Sequence, residues 1–325
     1  MNASPAYVHA LAMVCLCGPQ ALGDSLYSNG SANPAVPALG ASNISLSGVP
    51  APSGFFWSEC PATGGFANAM AGFSTHAQDA GQFRFADDFA VPPGGWTLQS
   101  LTVFAYQPGA GGPASPFTGL SVRLWIGRPG DPGSFIVWGD TTTHAVTSTS
   151  TGVYRVFNTN TQPLPATPDT TRLIWATRVE LPGVFVGEGT YWIDWQYTGV
   201  EGGAFSPAVT SAGSRGSGNA VQYQAAYGSL PGGWLPALDT GKPAQAPDLA
   251  QDFPFLLEGL PGAQCDADVN CDGAVNGFDI EVQEAAVGGD MADYCASDAD
   301  FNQDGAVNGN DVEAVELVVG GGPCP

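Results

Sequence analysis

The chain has 325 residues, with 8 Lys+Arg against 30 Asp+Glu, a formal net charge of −22 and a pI near 4.1. Nucleic-acid binding needs basic side chains that displace counterions, and so acidic a chain does not supply them; attraction to an anionic membrane face is excluded on the same ground, and no apolar run approaches the roughly 20 residues of a membrane span. Gly and Pro make up 72 of the 325 residues and charged residues only 12 %, which argues against helical bundles and coiled coils, while 10 % aromatic residues leave enough apolar surface for a core.

Residues 6–17, AYVHALAMVCLC, form a short apolar stretch, and Ala21-Leu22-Gly23 place small residues before a cut at Asp24. Residues 1–23 therefore have the outline of a secretory signal peptide, although no Lys or Arg precedes the apolar run. The expectation is a secreted, extracellular or cell-surface protein. Removal of the signal leaves Cys60, Cys265, Cys271, Cys295 and Cys324. Four of these fall in the last 61 residues, the pattern of a small disulfide-stapled module. Cys60 is the odd one and reads as a buried thiol, with a partner in another chain as the alternative.

Residues 24–80 are Gly/Ala/Ser/Pro-rich and read as loop-like, with one edge strand near Phe55-Phe56-Trp57. Residues 81–258 carry the signals of strands. RFADDFAV (84–91) sets Phe85, Asp87, Phe89 and Val91 on one parity; LQSLTVFAYQ (98–107), LSVRLWIG (120–127), SFIVWGD (134–140) and VYRVFN (153–158) follow. RLIWATRVEL (172–181), GTYWIDWQY (189–197), VQYQAAY (221–227) and DFPFLLEG (252–259) complete the series. Short runs bounded by Gly, Pro, Asn or Asp, with no sustained helical period, predict an antiparallel β-sandwich or jelly roll of about eight to ten strands.

Motifs for chemistry are sparse in this region. His76 and His144 lack metal-ligand spacing, and there is no GxSxG. Carboxylate pairs of the kind that hydrolyse glycosidic bonds would have to come from Asp87, Asp88, Asp140, Glu180, Glu188, Asp194 and Glu201. Along the strand at 189–197, Trp192, Asp194 and Gln196 share one face. An aromatic ring beside polar groups is the chemistry of a sugar contact; a packed face with a satisfied Asp194 is the structural alternative. Asp87-Asp88 reads as a strand-orienting pair with a partner among Arg84, Arg123 and Arg178.

A change in composition marks a boundary after residue 258, where Gly259-Leu260-Pro261-Gly262 reads as a linker (259–264). Residues 1–258 hold 16 acidic and 8 basic residues; residues 259–325 hold 14 acidic and none basic. The tail is also a duplication. DVNCDGAVNGFDIEVQEAAVGG (268–289) and DFNQDGAVNGNDVEAVELVVGG (300–321) agree at 14 of 22 positions. Each copy has the order of a calcium-binding EF-hand loop, in which alternate oxygen donors converge on a hard cation. Positions 1, 3 and 5 are Asp268, Asn270, Asp272 and Asp300, Asn302, Asp304. Position 7 offers the carbonyls of Ala274 and Ala306, position 9 is Asn276 or Asn308, and position 12 is Asp279 or Asp311. Two Ca²⁺ ions are expected.

Asp at position 12, and Val275-Asn276 and Val307-Asn308 at positions 8 and 9, make residues 265–325 resemble a type I dockerin. The four cysteines and the GGGPCP end resemble secreted proteins anchored by GC-type dockerin domains. The resemblance implies a small helical module that binds cohesin domains of scaffold proteins and appends its cargo to polysaccharide-degrading assemblies. It places partner contacts at loop positions 10 and 11, here Gly277, Phe278 and Gly309, Asn310. The preferred cysteine pairing is Cys265–Cys324, which would clamp the ends of a pseudo-two-fold module, with Cys271–Cys295; the rival is Cys265–Cys271 with Cys295–Cys324. The whole chain reads as an exported β-sandwich of unassigned ligand on a calcium-loaded anchor. A glycan-degrading O-glycosyl hydrolase or a carbohydrate-binding module is the alternative.

Overall fold

The computed structural model describes residues 24–29, 39–45, 47–59, 72–77, 82–156, 168–198, 203–206, 218–226, 231–239, 248–262, 267–295, 298–302 and 304–322. The signal segment, Cys60, Cys265 and Cys324 lie outside the described residues. The molecule is mainly β with two short helices. The strands are β1 (Asp24–Ser28), β2 (Ala41–Ser42), β3 (Phe56–Ser58), β4 (Phe73–Ser74), β5 (Arg84–Val91), β6 (Trp96–Ala105), β7 (Gly119–Ile126), β8 (Phe135–Gly139) and β9 (His144–Ala145). They continue with β10 (Thr147–Arg155), β11 (Leu173–Val186), β12 (Gly189–Thr198), β13 (Phe205–Ser206), β14 (Val221–Gln224), β15 (Gly233–Pro236), β16 (Leu238–Asp239), β17 (Leu249–Ala250) and β18 (Phe255–Pro261). The helices are α1 (Gly277–Val287) and α2 (Gly309–Val319), and no helix among the described residues is long and apolar enough to cross a membrane.

Two seven-stranded sheets share one core. The first runs β1-β18-β6-β11-β10-β3-β2; the second runs β15-β14-β5-β12-β7-β8, with β9 also on β7. Alternation decides which side chains meet. Phe85, Phe89, Ile193, Trp195, Leu120 and Val122 of the second sheet pack against Leu101, Val103, Val179, Phe255 and Leu257 of the first. Trp195 is fully buried, its ring centroid 5.9 Å from that of Phe255 in the opposite sheet.

The pairing is not wholly antiparallel. β3 runs parallel to β10, Val153 opposite Phe56 and Arg155 opposite Ser58, so the first sheet is mixed. Nor is β3 an edge, because β2 continues the sheet beyond it. The predicted loop-like segment 24–80 contributes further strands: β1 forms an edge of the first sheet through Asp24–Gly259 and Ser28–Leu256 pairing. Its apolar side chains are too few to announce a strand, and the pairing comes from the neighbour.

The predicted linker at 259–264 needs the same correction. Gly259, Leu260 and Pro261 belong to β18, opposite Leu98, Thr97 and Trp96, and the Gly262 N–H donates to the Gly95 carbonyl at 2.7 Å. Its glycines serve close approach rather than flexibility. A Cβ on Gly259 would stand 2.1 Å from the Thr97 carbonyl oxygen, and one on Gly262 would stand 1.8 Å from that of Gly94.

Beyond Gly262 the described chain resumes at Ala267 in a small helical unit. Ala267, Val269, Ala286, Tyr294, Ala299 and Val315 form its core, flanked by Ile280, Val282 and Phe301. Each helix has 11 residues and opens on a capping box, Asn276 with Asp279 and Asn308 with Asp311. These boxes satisfy backbone donors that the first helical turn leaves open.

Candidate functional site

The first loop is built from its own sequence. The Asp268 carboxylate accepts hydrogen bonds from Asp272 N (3.0 Å) and Gly273 N (2.9 Å), and Asp272 Oδ1 accepts from Ala274 N at 2.9 Å. Gly273 has φ +89°, the left-handed turn that a side chain would resist. Asp279 reaches back from α1, accepting from Asn270 N (3.3 Å) and Asn276 N (2.8 Å), and is fully buried.

The second loop repeats this pattern. Asp300 accepts from Asp304 N (3.1 Å) and Gly305 N (2.8 Å), Asp304 from Ala306 N (3.0 Å), and Asp311 from Asn302 N (3.0 Å) and Asn308 N (2.8 Å). Gly305 has φ +88°. Asn276 and Asn308 also donate to the Ala274 and Ala306 carbonyls, at 2.9 and 2.8 Å. All twelve predicted ligand positions thus fall within two equivalent turns.

No group of three or more His, Cys, Asp or Glu side chains is gathered as a metal cage among the described residues. Half of each EF-hand-type donor set is amide or main-chain oxygen, which no such grouping includes. The donor chemistry fits calcium. Every donor is a hard oxygen, and a carboxylate offers about four lone-pair sites, more than the two N–H groups that Asp300 accepts.

Cys271 and Cys295 form a disulfide with Cα atoms 5.9 Å apart. This is the second of the two preferred pairs; Cys265–Cys324 lies outside the described residues. Beside the bridge is a groove of about 590 Å³, lined by Asn270, Asp272, Phe278, Glu281, Tyr294 and Cys295 among others. Phe278 is 64 % exposed at the start of α1. Gly277 and Phe278 open that helix, and Gly309 and Asn310 open α2, so the four expected contact positions occupy matching first turns.

In the sandwich, Trp192, Asp194 and Gln196 do share the outer face of β12, but they are buried. Asp194 binds the Arg84 guanidinium and accepts from Arg123 Nε (2.7 Å) and Trp125 Nε1 (2.5 Å). Gln196 accepts from Arg84 Nη1 at 3.1 Å and donates to the Gln82 and Phe83 carbonyls. Trp192 packs with Ala86 and Val221. The packed alternative describes this trio, and the sugar-contact reading of it is withdrawn: the polar atoms that would meet a sugar are turned to protein.

The expected arginine partner of Asp87 is also corrected. Asp87 takes Asn29 Nδ2 (2.6 Å) and Phe253 N (2.7 Å) on one oxygen and Asp88 N (2.9 Å) on the other. Arg84 sits an odd number of residues away on the same strand and points to the opposite face, a signal that parity alone contained. Arg178 instead reaches Glu180 and Glu258 on the first sheet. Burial, followed by the charge of Asp252, holds the Asp87 carboxyl well above the usual carboxylate range. Asp252 is raised by its own burial, while the Gly218 and Asn219 N–H groups that it accepts at 2.8 and 2.9 Å oppose the shift. Sequence reading missed Asn29 and Asp252, whose roles depend on contacts remote along the chain. Asp87 and Asp194, both fully buried, face opposite sides of one sheet and do not flank a common cleft. Compared with known proteins, the chain matches no family model, no curated protein and no solved structure.

Proposed function

We propose that residues 265–325 are a dockerin-like anchoring module carrying two Ca²⁺, and that it attaches an exported β-sandwich to a cohesin-like scaffold domain in a polysaccharide-related assembly. The observation that carries this reading is the pair of equivalent loops, each with its oxygen donors on one tight turn and its last carboxylate folded back from a helix. Bound calcium supplies two positive centres to a segment with 14 acidic and no basic residues. Asp268, Asn270, Asp272, the Ala274 carbonyl, Asn276 and Asp279 hold the first; Asp300, Asn302, Asp304, the Ala306 carbonyl, Asn308 and Asp311 hold the second.

The Cys271–Cys295 bond supports an oxidising, extracellular setting. The opposed placement of Asp87 and Asp194 favours a non-catalytic cargo over a hydrolase built on that pair. Exposed Phe278 supplies a side chain able to enter a partner.

Calorimetric titration of the full chain tests the calcium half: two ions are expected, with a gain in helicity that a chelator reverses. Zero stoichiometry would end it. Calcium-dependent retention on immobilised cohesin domains tests the partner half. Intact calcium binding without retention on any cohesin would overturn that half alone.

A further inference from the structure

The two loops share their hydrogen bonds but differ at position 4, which is Cys271 in the first and Gln303 in the second. Cys271 adopts φ +55°, the left-handed region that non-glycine residues rarely enter. Its N–H donates to the Asp268 carbonyl at 3.2 Å, and Asn270 and Asp272, donors 3 and 5, stand on either side of it. Its sulfur is bonded to Cys295, 24 residues away. The Cys295 N–H donates to the Val269 carbonyl at 2.9 Å, so the segment before the second repeat is fastened to the first loop both covalently and by a main-chain hydrogen bond. Both cysteines are exposed.

Resting on the calcium reading above, we infer that the Cys271–Cys295 bridge is a positioning element that makes the first loop the tighter, first-filled site and ties its affinity to redox state. An open loop must be ordered as the ion enters, against the mutual repulsion of its carboxylates. A bridged loop is held in the turn beforehand, so less ordering opposes binding. The second loop has no cysteine and meets that ordering cost at each binding event. A dithiol reductant breaks the S–S bond, converting the bridge to two thiols with two electrons and two protons while the dithiol closes to its own disulfide. The Asp268–Asp272 turn is then released, whereas the Asp300–Asp304 turn is untouched.

The test is calcium calorimetry on the full chain, oxidised, reduced with dithiothreitol, and reoxidised. The oxidised chain should bind its first ion about tenfold more tightly than its second, reduction should bring the two affinities together, and reoxidation should restore the gap. Cys271→Ser/Cys295→Ser should behave as the reduced protein does. Asp300→Ala, which leaves the first loop, should lose affinity on reduction; Asp268→Ala, which leaves the second, should not. Helicity at saturating calcium reports whether each variant folds; because dithiothreitol would also open the expected Cys265–Cys324 bond, the Cys271→Ser/Cys295→Ser chain decides the matter, with Cys271→Ala/Cys295→Ala in its place if that chain does not fold. Equal weakening of both loops, or none, overturns the inference while leaving the calcium reading intact. No calcium uptake by the oxidised chain overturns the calcium reading itself, and this inference with it.

Discussion

Two kinds of buried carboxylate, one in each region of the chain, are met in different ways. In the sandwich, buried Asp194 is answered within the fold by Arg84, Arg123 and Trp125, above a core rich in Trp and Phe. In the helical unit, the partners of buried Asp279 and Asp311 among the described residues are backbone N–H groups, over a core of which Ala267, Ala286 and Ala299 form half. The Asp194 site pairs a buried acid with cations of the fold; Asp279 and Asp311 lie in a segment, residues 259–325, that holds 14 acidic and no basic residues.

That contrast can be broken experimentally, because all eight tryptophans lie before residue 258 and the two helices among the described residues lie after it. Tryptophan emission reads the sandwich and helical circular dichroism reads the tail. The largest expected effect is calcium removal: chelation should abolish most of the helical signal and leave tryptophan emission unchanged. A coupled loss of both would show that the sandwich depends on the module. Asp194→Ala comes next, since it strands Arg84 in a dry site and should cost the sandwich about 3–5 kcal/mol by denaturant titration, with calcium stoichiometry unchanged. Wild-type stability in that variant would mean that the Asp194 cluster is solvated. Asn308→Ala removes one capping box together with a proposed calcium donor and should cost at least about 1 kcal/mol, read as a lower melting point of the helical signal with tryptophan emission unchanged.

The smallest effect concerns protons. Asp87 and Asp252 are both raised in the fold, whereas unfolding returns them to about 4. Between those limits the native state binds more protons than the unfolded chain, so this contribution to stability is full below about pH 4 and is lost as pH rises through the folded values. Tryptophan-detected melting should therefore fall with rising pH across that window, and Asp87→Asn should flatten the slope. An unaltered slope in the variant would place its origin elsewhere.

Legibility in the sequence followed locality. β5 coincides with the run predicted at 84–91 because Phe85, Phe89 and Val91 alternate cleanly. The two loop turns of the tail were legible residue by residue because the hydrogen bonds that shape each one lie within a single short stretch of chain. β10 was visible only from Val153 onward, since Thr147–Gly152 is polar and half exposed, and its strand character comes from pairing with β11. β11 runs through Pro182-Gly183, where the register shift between Glu180 and Val184 absorbs what reads as a stop. The Asn29–Asp87 bond, across 58 residues, has no local signature at all.

The way β18 ends has a mechanical consequence. Gly262 is hydrogen-bonded to Gly95, and only residues 263–266 separate it from Ala267 in the helical core. Tension on the tail therefore enters the sandwich along β18, which is flanked by β1 on one side and β6 on the other. A pull along that strand loads both ladders in shear, many bonds together, rather than peeling an edge one bond at a time. The load path from the helical unit into the sheets runs through a doubly braced strand.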